Sequence, residues 1–242
     1  MQLQIVQHLI NHLIYIQPST LPSPIKQSLP VVQHTSIMKT AFAAAATLAV
    51  ASAQDYNITS KPFQLQLTSE DGKINSVVQA CHVGAALESL CLTDDKAGNP
   101  TAFDTFNFNT SSYSQPPPDN EELGAQGILT WILPAGNADI PSSVYFNYDP
   151  STNYATPILQ PGSGSNTQQL SFDDKDELLV QSYIDNTTNP PTAGKWYGLK
   201  RWYACKTIFA SYTYENLVWG LGATKPENPT CVPVTVKRVF TE

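Results

Sequence analysis

Short segments in which apolar and polar residues alternate most constrain the fold of this chain, because they recur from Phe63 almost to its end. Successive side chains of a β-strand point to opposite faces, so a period of two is typical of half-buried strands. Phe63–Leu67 shows this pattern before the turn dipeptide Asp71-Gly72, and Val232–Val236 shows it again near the C-terminus. The sequence therefore predicts an all-β, single-domain, sandwich-like fold.

One stretch departs from this alternation. Gly84 to Leu92 groups its apolar residues at helical spacing, which predicts one short helical segment around Glu88. Glu88 is also the most interesting carboxylate for acid–base chemistry, since burial among apolar neighbours raises the pKa of a carboxyl. The alternative interpretation, which we prefer, is that Glu88 forms the polar edge of the helical turn.

The internal methionine Met38 opens a segment with the features of a secretory signal peptide. Lys39 precedes an apolar run, and Ala51-Ser52-Ala53 is the small-x-small pattern that signal peptidase cleaves. The run is too short to cross a bilayer. We predict a disordered lead from a misplaced start at 1–37, a signal peptide at 38–53, and a single secreted β-rich domain without a membrane span at 54–242.

The composition of the predicted mature part excludes several kinds of partner and chemistry. Residues 54–242 hold all 20 acidic residues and 11 basic ones, a net charge of −9 that repels nucleic acid. Neither GxGxxG nor a P-loop is present, so no cofactor is predicted. His82 is the single histidine of this part and no Gly-x-Ser-x-Gly elbow occurs, which disfavours a serine hydrolase.

An even number of cysteines predicts two disulfides, for which three pairings exist. We favour the local pairing because each pair brackets a compact stretch: Cys81 with Cys91, and Cys205 with Cys231. The cysteine spacing lacks CxxC, so no zinc site is predicted. The acidic run Asp173–Glu177 offers oxygen ligands for Ca²⁺ but lacks the EF-hand pattern, and we interpret it as a solvated hairpin turn.

Two further sets of residues are candidates for surface functions. N-glycosylation sequons begin at Asn57, Asn109 and Asn186, which predicts glycans there. Trp196 and Tyr197 lie between glycines in an aromatic stretch, and exposed aromatic rings stack on sugars. We therefore predict Trp196 and Tyr197 as ligand-binding residues, against the alternative that the aromatic side chains of this stretch fill the core.

Several short motifs together resemble a family of secreted ascomycete proteins of unknown function. They are Ser60–Phe63, Cys81–Ala86, Leu90-Cys91, Phe106–Thr110, Leu129–Trp131, Arg201–Cys205, Leu217–Trp219 and Pro226–Cys231. The closing pattern also resembles fungal phialide-type cell-wall proteins. The resemblance implies a fungal extracellular or cell-wall domain rich in β-structure, and it transfers no active site.

These observations lead to one leading hypothesis and two alternatives. The leading hypothesis is a secreted, non-catalytic protein of the fungal wall or extracellular space that binds wall polysaccharide. The first alternative is a secreted polysaccharide hydrolase that uses a pair of carboxylates. The second is a secreted effector that binds a protein partner through an exposed apolar patch.

Overall fold

The structure is a computed structural model that describes residues 56–93, 97–209 and 211–241. The predicted lead 1–37 and signal peptide 38–53 lie outside the described residues, and both stay predictions. The single secreted domain likewise stays a prediction.

The described residues form fifteen β-strands and one 3-10 turn, Glu121–Leu123. The strands are β1 (Ile58–Thr59), β2 (Phe63–Thr68), β3 (Asn75–Gly84), β4 (Leu87–Thr93), β5 (Asn107–Thr110), β6 (Gly127–Ala135), β7 (Ala138–Tyr148), β8 (Tyr154–Pro161), β9 (Gln169–Phe172), β10 (Leu178–Asp185), β11 (Thr192–Leu199), β12 (Trp202–Phe209), β13 (Tyr212–Gly220), β14 (Val232–Pro233) and β15 (Thr235–Phe240). Phe63–Leu67 thus lies within β2 as predicted, whereas Val232–Val236, predicted as one strand, is divided between β14 and β15 at Val234.

Antiparallel pairing joins most of these strands in the order β11-β10-β9-β6-β7-β8-β13-β4-β3-β2-β15. The other four attach at the side: β5 to β6, β1 to β5, β12 to β13, and β14 to β12. Strand β15 returns to the far end of this row, where Lys237 bridges to Glu177 and the Arg238 amide donates to the Asp176 carbonyl at 3.0 Å. The sheet therefore curls into a half-barrel, and the predicted all-β fold is confirmed.

The inside of the curl is filled by apolar side chains from strands that are distant in sequence. Trp202 and Trp219 are buried and pack edge to face with ring centroids 4.8 Å apart. The buried indole of Trp202 donates from Nε1 to the Leu178 carbonyl at 2.7 Å, and that of Trp131 donates to the Ala102 carbonyl at 2.8 Å. The indole nitrogens of Trp202 and Trp131 therefore have their hydrogen-bond partners, as burial requires.

Two disulfides connect neighbouring strands. Cys81 of β3 is bonded to Cys91 of β4, and Cys205 of β12 is bonded to Cys231, which directly precedes β14. The predicted pairing is confirmed. The second bridge closes the longer loop, and cross-links of this kind stabilise a protein by restricting its unfolded chain.

The prediction of a helical segment around Glu88 is wrong in its position. Residues Leu87–Thr93 form β4, which pairs with β3 as a hairpin that turns at Ala85 and Ala86. A short apolar run fits a strand as well as a helical turn, and pairing with both β3 and β8 decides for the strand. The helical segment of the described residues is instead the 3-10 turn Glu121–Leu123.

We predict that Trp202→Phe lowers the free energy of unfolding by about 2–4 kcal/mol. The substitution leaves a void and removes the indole donor of the Leu178 carbonyl. Equilibrium urea unfolding measures this change. Tyr113→Phe is the control, since Tyr113 is exposed and the change should stay within about 0.5 kcal/mol. Equal effects of the two substitutions would contradict the anchoring role of the Trp202 indole.

Candidate functional site

A cavity of about 430 Å³ lies on the β10–β11 hairpin at one end of the strand row. Its lining includes the side chains of Tyr183, Asp185, Thr187, Lys195, Tyr197 and Arg201. On β10 the lining positions Tyr183 and Asp185 alternate, whereas on β11 the four consecutive residues 192–195 line the cavity together with Tyr197. The volume lies within the range of small-ligand sites.

A bulge and a side-chain turn shape this hairpin. The pairing of β10 with β11 shifts register between Ser182 and Ile184, opposite the segment that carries Lys195. At the tip, the Asp185 carboxylate accepts hydrogen bonds from the amide and hydroxyl of Thr187, at 2.8 and 2.6 Å. Bulges redirect side chains and Asx turns fix hairpin tips, so local sequence sets the shape of the cavity.

The two predicted ligand-binding residues take different places on β11. Both are half-buried, and as neighbours on a strand they point to opposite faces. Tyr197 lines the cavity and donates its hydroxyl to the Ile184 carbonyl at 2.6 Å. Trp196 packs against Tyr183, with ring centroids 5.1 Å apart and planes tilted by 46°. Trp196 thus supports a lining residue, and no flat platform joins it to Tyr197.

A loop holds the outer edge of β11 in place. The Trp196 amide donates to the Asp119 carboxylate at 3.0 Å, and the Trp196 carbonyl accepts from the Asn120 side chain at 3.2 Å. Three consecutive prolines precede Asp119 and restrict the backbone there. These contacts fix the strand from which Lys195 and Tyr197 extend.

The charges of the cavity differ from those of the acidic chain as a whole. Lys195 and Arg201 are cationic, and Asp185 is the single carboxylate among the described lining residues. Hydrogen bonds from the Thr187 side chain and amide lower the pKa of Asp185 below its usual 3.8. Asp185 is therefore ionised at neutral pH, and the cavity carries one net positive charge.

The acidic run between β9 and β10 is paired with cations. Lys200 Nζ lies 2.5 Å from Asp173 Oδ2 and 2.5 Å from Glu177 Oε2, and Arg238 Nε lies 2.8 Å from Asp176 Oδ1. Burial opposes ionisation of Asp173, but hydrogen bonds from Lys200 and from backbone amides outweigh it and lower its pKa. Within the described ranges no group of three or more His, Cys, Asp or Glu side chains could hold a metal.

Glu88 lies on β4 opposite His82 of β3, away from the hairpin cavity. Its side chain is buried while that of His82 is exposed, and His82 Nδ1 lies 3.4 Å from Glu88 Oε1. Burial raises the pKa of Glu88 above its usual 4.5, although the contact with His82 works against this. Glu88 is thus a buried carboxyl whose ionisation costs stability.

The three sequon asparagines differ in their surroundings. Asn57 and Asn186 are exposed, and Asn186 lies beside the lining residue Thr187 at the tip of the β10–β11 hairpin. The side chain of Asn109 is engaged within the sheet, where it donates to the Tyr56 carbonyl at 3.3 Å and accepts from Thr130 at 3.2 Å. A glycan on Asn186 would stand at the rim of the cavity. Glycosylation at all three positions stays a prediction.

Eight of the nine lining residues were not assigned from the sequence, among them the charged or aromatic residues Tyr183, Asp185, Lys195 and Arg201. The spacing of two between Tyr183 and Asp185, and between Lys195 and Tyr197, was the available signal, because such residues share a face. Arg201 follows the end of β11, and no periodicity indicates that it borders the same cavity.

The described residues form an all-β fold with two disulfides and a cavity lined by aromatic and charged residues. By sequence the chain belongs to the family described as Domain of unknown function (DUF7907), which matches residues 60–240. No curated protein and no solved structure matched the chain. Among the described residues, no helix has the length and apolar character required to span a bilayer.

We predict that Glu88→Gln gains stability relative to the wild type as the pH rises from 4 to 7. The folded-state pKa of Glu88 is raised, so the native protein loses stability as the pH rises above about 4.5, where the unfolded chain ionises more readily. Glutamine carries no such penalty. Urea unfolding of both proteins at the two pH values measures the difference.

Glu70→Gln is the matched control, because Glu70 is exposed and its substitution should change stability equally at both pH values. A Glu88→Gln difference that stays constant or shrinks between pH 4 and 7 would contradict the burial penalty.

Proposed function

We propose that this chain is a secreted, non-catalytic fungal protein of the extracellular space or cell wall that binds wall polysaccharide in the hairpin cavity. The observation that carries the proposal is the lining of that cavity, where Tyr183 and Tyr197 lie among hydroxyl and charged side chains. Aromatic rings pack on the C–H faces of sugars while nearby polar groups fix their orientation.

Three features support the extracellular part of this proposal. Two disulfides persist best in oxidising compartments. The sequence over 38–53 has the pattern of a signal peptide. The motifs that resemble those of secreted ascomycete proteins extend over most of 54–242 and support the fungal part of the proposal.

The charges of the cavity favour binding over hydrolysis. A glycosidase needs two carboxyl groups on either side of the bond that it cleaves, one of them protonated. Asp185 is the single carboxylate among the described lining residues, and its lowered pKa suits it poorly as an acid. Glu88, whose pKa is raised, lies outside the lining. A second carboxylate at this site would be needed to support the hydrolase alternative.

A binding assay on insoluble chitin, β-glucan and mannan tests the proposal, with soluble sugar release measured in parallel. We expect retention on at least one polymer without sugar release. Tyr183→Ala should weaken it about tenfold, because it removes a half-exposed ring from the cavity. Trp196→Ala should weaken it less, since Trp196 only supports Tyr183.

Tyr212→Ala is the matched control for this assay. Tyr212 is an exposed tyrosine on a different hairpin, so its loss should leave retention unchanged. Release of sugar would favour the hydrolase alternative, and absence of retention on all three polymers would contradict polysaccharide binding.

A second candidate function, an effector that binds a protein partner, is favoured by the tip of the β12–β13 hairpin. Ile208 and Tyr212 are 77% and 68% exposed there. The tip extends beyond Asn216, the position at which β13 pairs with Cys91 of β4. Exposed apolar groups of this kind occur at protein interfaces. Loss of partner binding in Tyr212→Ala, with Tyr183→Ala unaffected, would support this function.

A further inference from the structure

We propose that the hairpin cavity recognises a sugar that carries a carboxylate, a uronic acid unit, through Arg201 and Lys195. This inference rests on the proposed function, since it names the chemical class of the ligand at the same site. The charged groups of the lining and their hydrogen-bond partners favour this ligand.

Arg201 is one of the two cations of the lining. It is half-buried and lines the cavity, yet within the described residues its guanidinium makes no hydrogen bond or ion pair with the protein. The other arginine, Arg238, is ion-paired with Asp176 at 2.8 Å and lies over the Phe172 ring at 4.5 Å. A half-buried guanidinium whose donors have no protein acceptor is suited to an acceptor from a ligand.

Lys195 is the second cation in the lining of the cavity. It is exposed, it lies two residues before Tyr197 on one face of β11, and the part of the chain that the structure describes offers it no ion-pair partner. Lys200, which follows the same strand, is held between two carboxylates. Lys200 is therefore neutralised by carboxylates that precede β10, whereas Lys195 lines the cavity without an ion-pair partner among the described residues.

The acidic member of the lining does not cancel these two charges. One oxygen of Asp185 already accepts two hydrogen bonds from Thr187, which fixes the carboxylate within the turn. Two cations and one anion leave the cavity net positive in a chain whose net charge is −7. At physiological ionic strength charges beyond about 8 Å are largely screened, so the charges that border the cavity weigh most on the binding of a short ligand.

The geometry of the groups favours a carboxylated sugar over a simple anion. A guanidinium presents two parallel N–H donors that match the two oxygens of a carboxylate. The rings of Tyr183 and Tyr197 line the same cavity and offer apolar surface for a pyranose. A ligand that combines a sugar ring with a carboxylate uses both features at once.

Calorimetric titration of the intact protein with a trigalacturonate, and with its neutral methyl ester, tests this proposal. We expect the acid to bind at least about tenfold more tightly than the ester, since hydrogen bonds to charged groups are the stronger ones. Arg201→Gln should abolish that preference, and Lys195→Ala, a change at an exposed site, should reduce it. Lys61→Ala removes an exposed lysine outside the lining and should leave it intact.

The outcomes separate the two proposals. Binding of neutral β-glucan that depends on Tyr183, with equal affinities for the acid and its ester, would overturn the uronic acid assignment and leave the proposed function standing. Binding of dextran sulfate as tight as that of the trigalacturonate would overturn the carboxylate preference. Absence of binding to every sugar would overturn both proposals.

Discussion

The hydrogen bond from the Trp202 indole to the Leu178 carbonyl, 2.7 Å long, fixes where the β10–β11 hairpin leaves the core. Leu178 begins β10, and Trp202 begins β12 just after β11 has ended. Lys200, which follows β11, is ion-paired with Asp173 and Glu177, which precede β10. Because both ends of the hairpin are anchored in this way, its outer half can carry polar and charged side chains around a cavity while the curled sheet keeps its apolar interior.

The strands and both disulfides could be predicted because their signals are local. Alternation over Phe63–Leu67 needs only neighbouring residues, and each cysteine pair brackets a short stretch. The prediction of a helical segment around Glu88 was wrong for a physical reason, because a short apolar run fits a strand or a helical turn equally well. Pairing of β4 with β8, across some seventy residues, decides its conformation, and no local pattern encodes that contact.

The site was predictable only in part. Tyr197 was assigned from its aromatic neighbourhood and lines the cavity, whereas Trp196 supports the site through the ring of Tyr183. The register shift between Ser182 and Ile184 arises from the pairing of two strands, so the partners across the hairpin could not be read from either strand alone. Arg201 enters the lining because the chain turns back to the core after β11.

The central claim is that the β10–β11 hairpin, and no other face, is the ligand site. Amide chemical shifts of ¹⁵N-labelled protein, recorded as a soluble wall oligosaccharide is added, test it most directly. The account predicts saturable shifts at the amides of Tyr183, Lys195 and Tyr197, with those of Ile208 and Tyr212 unchanged. Shifts confined to the β12–β13 tip, or none up to millimolar sugar, would contradict it.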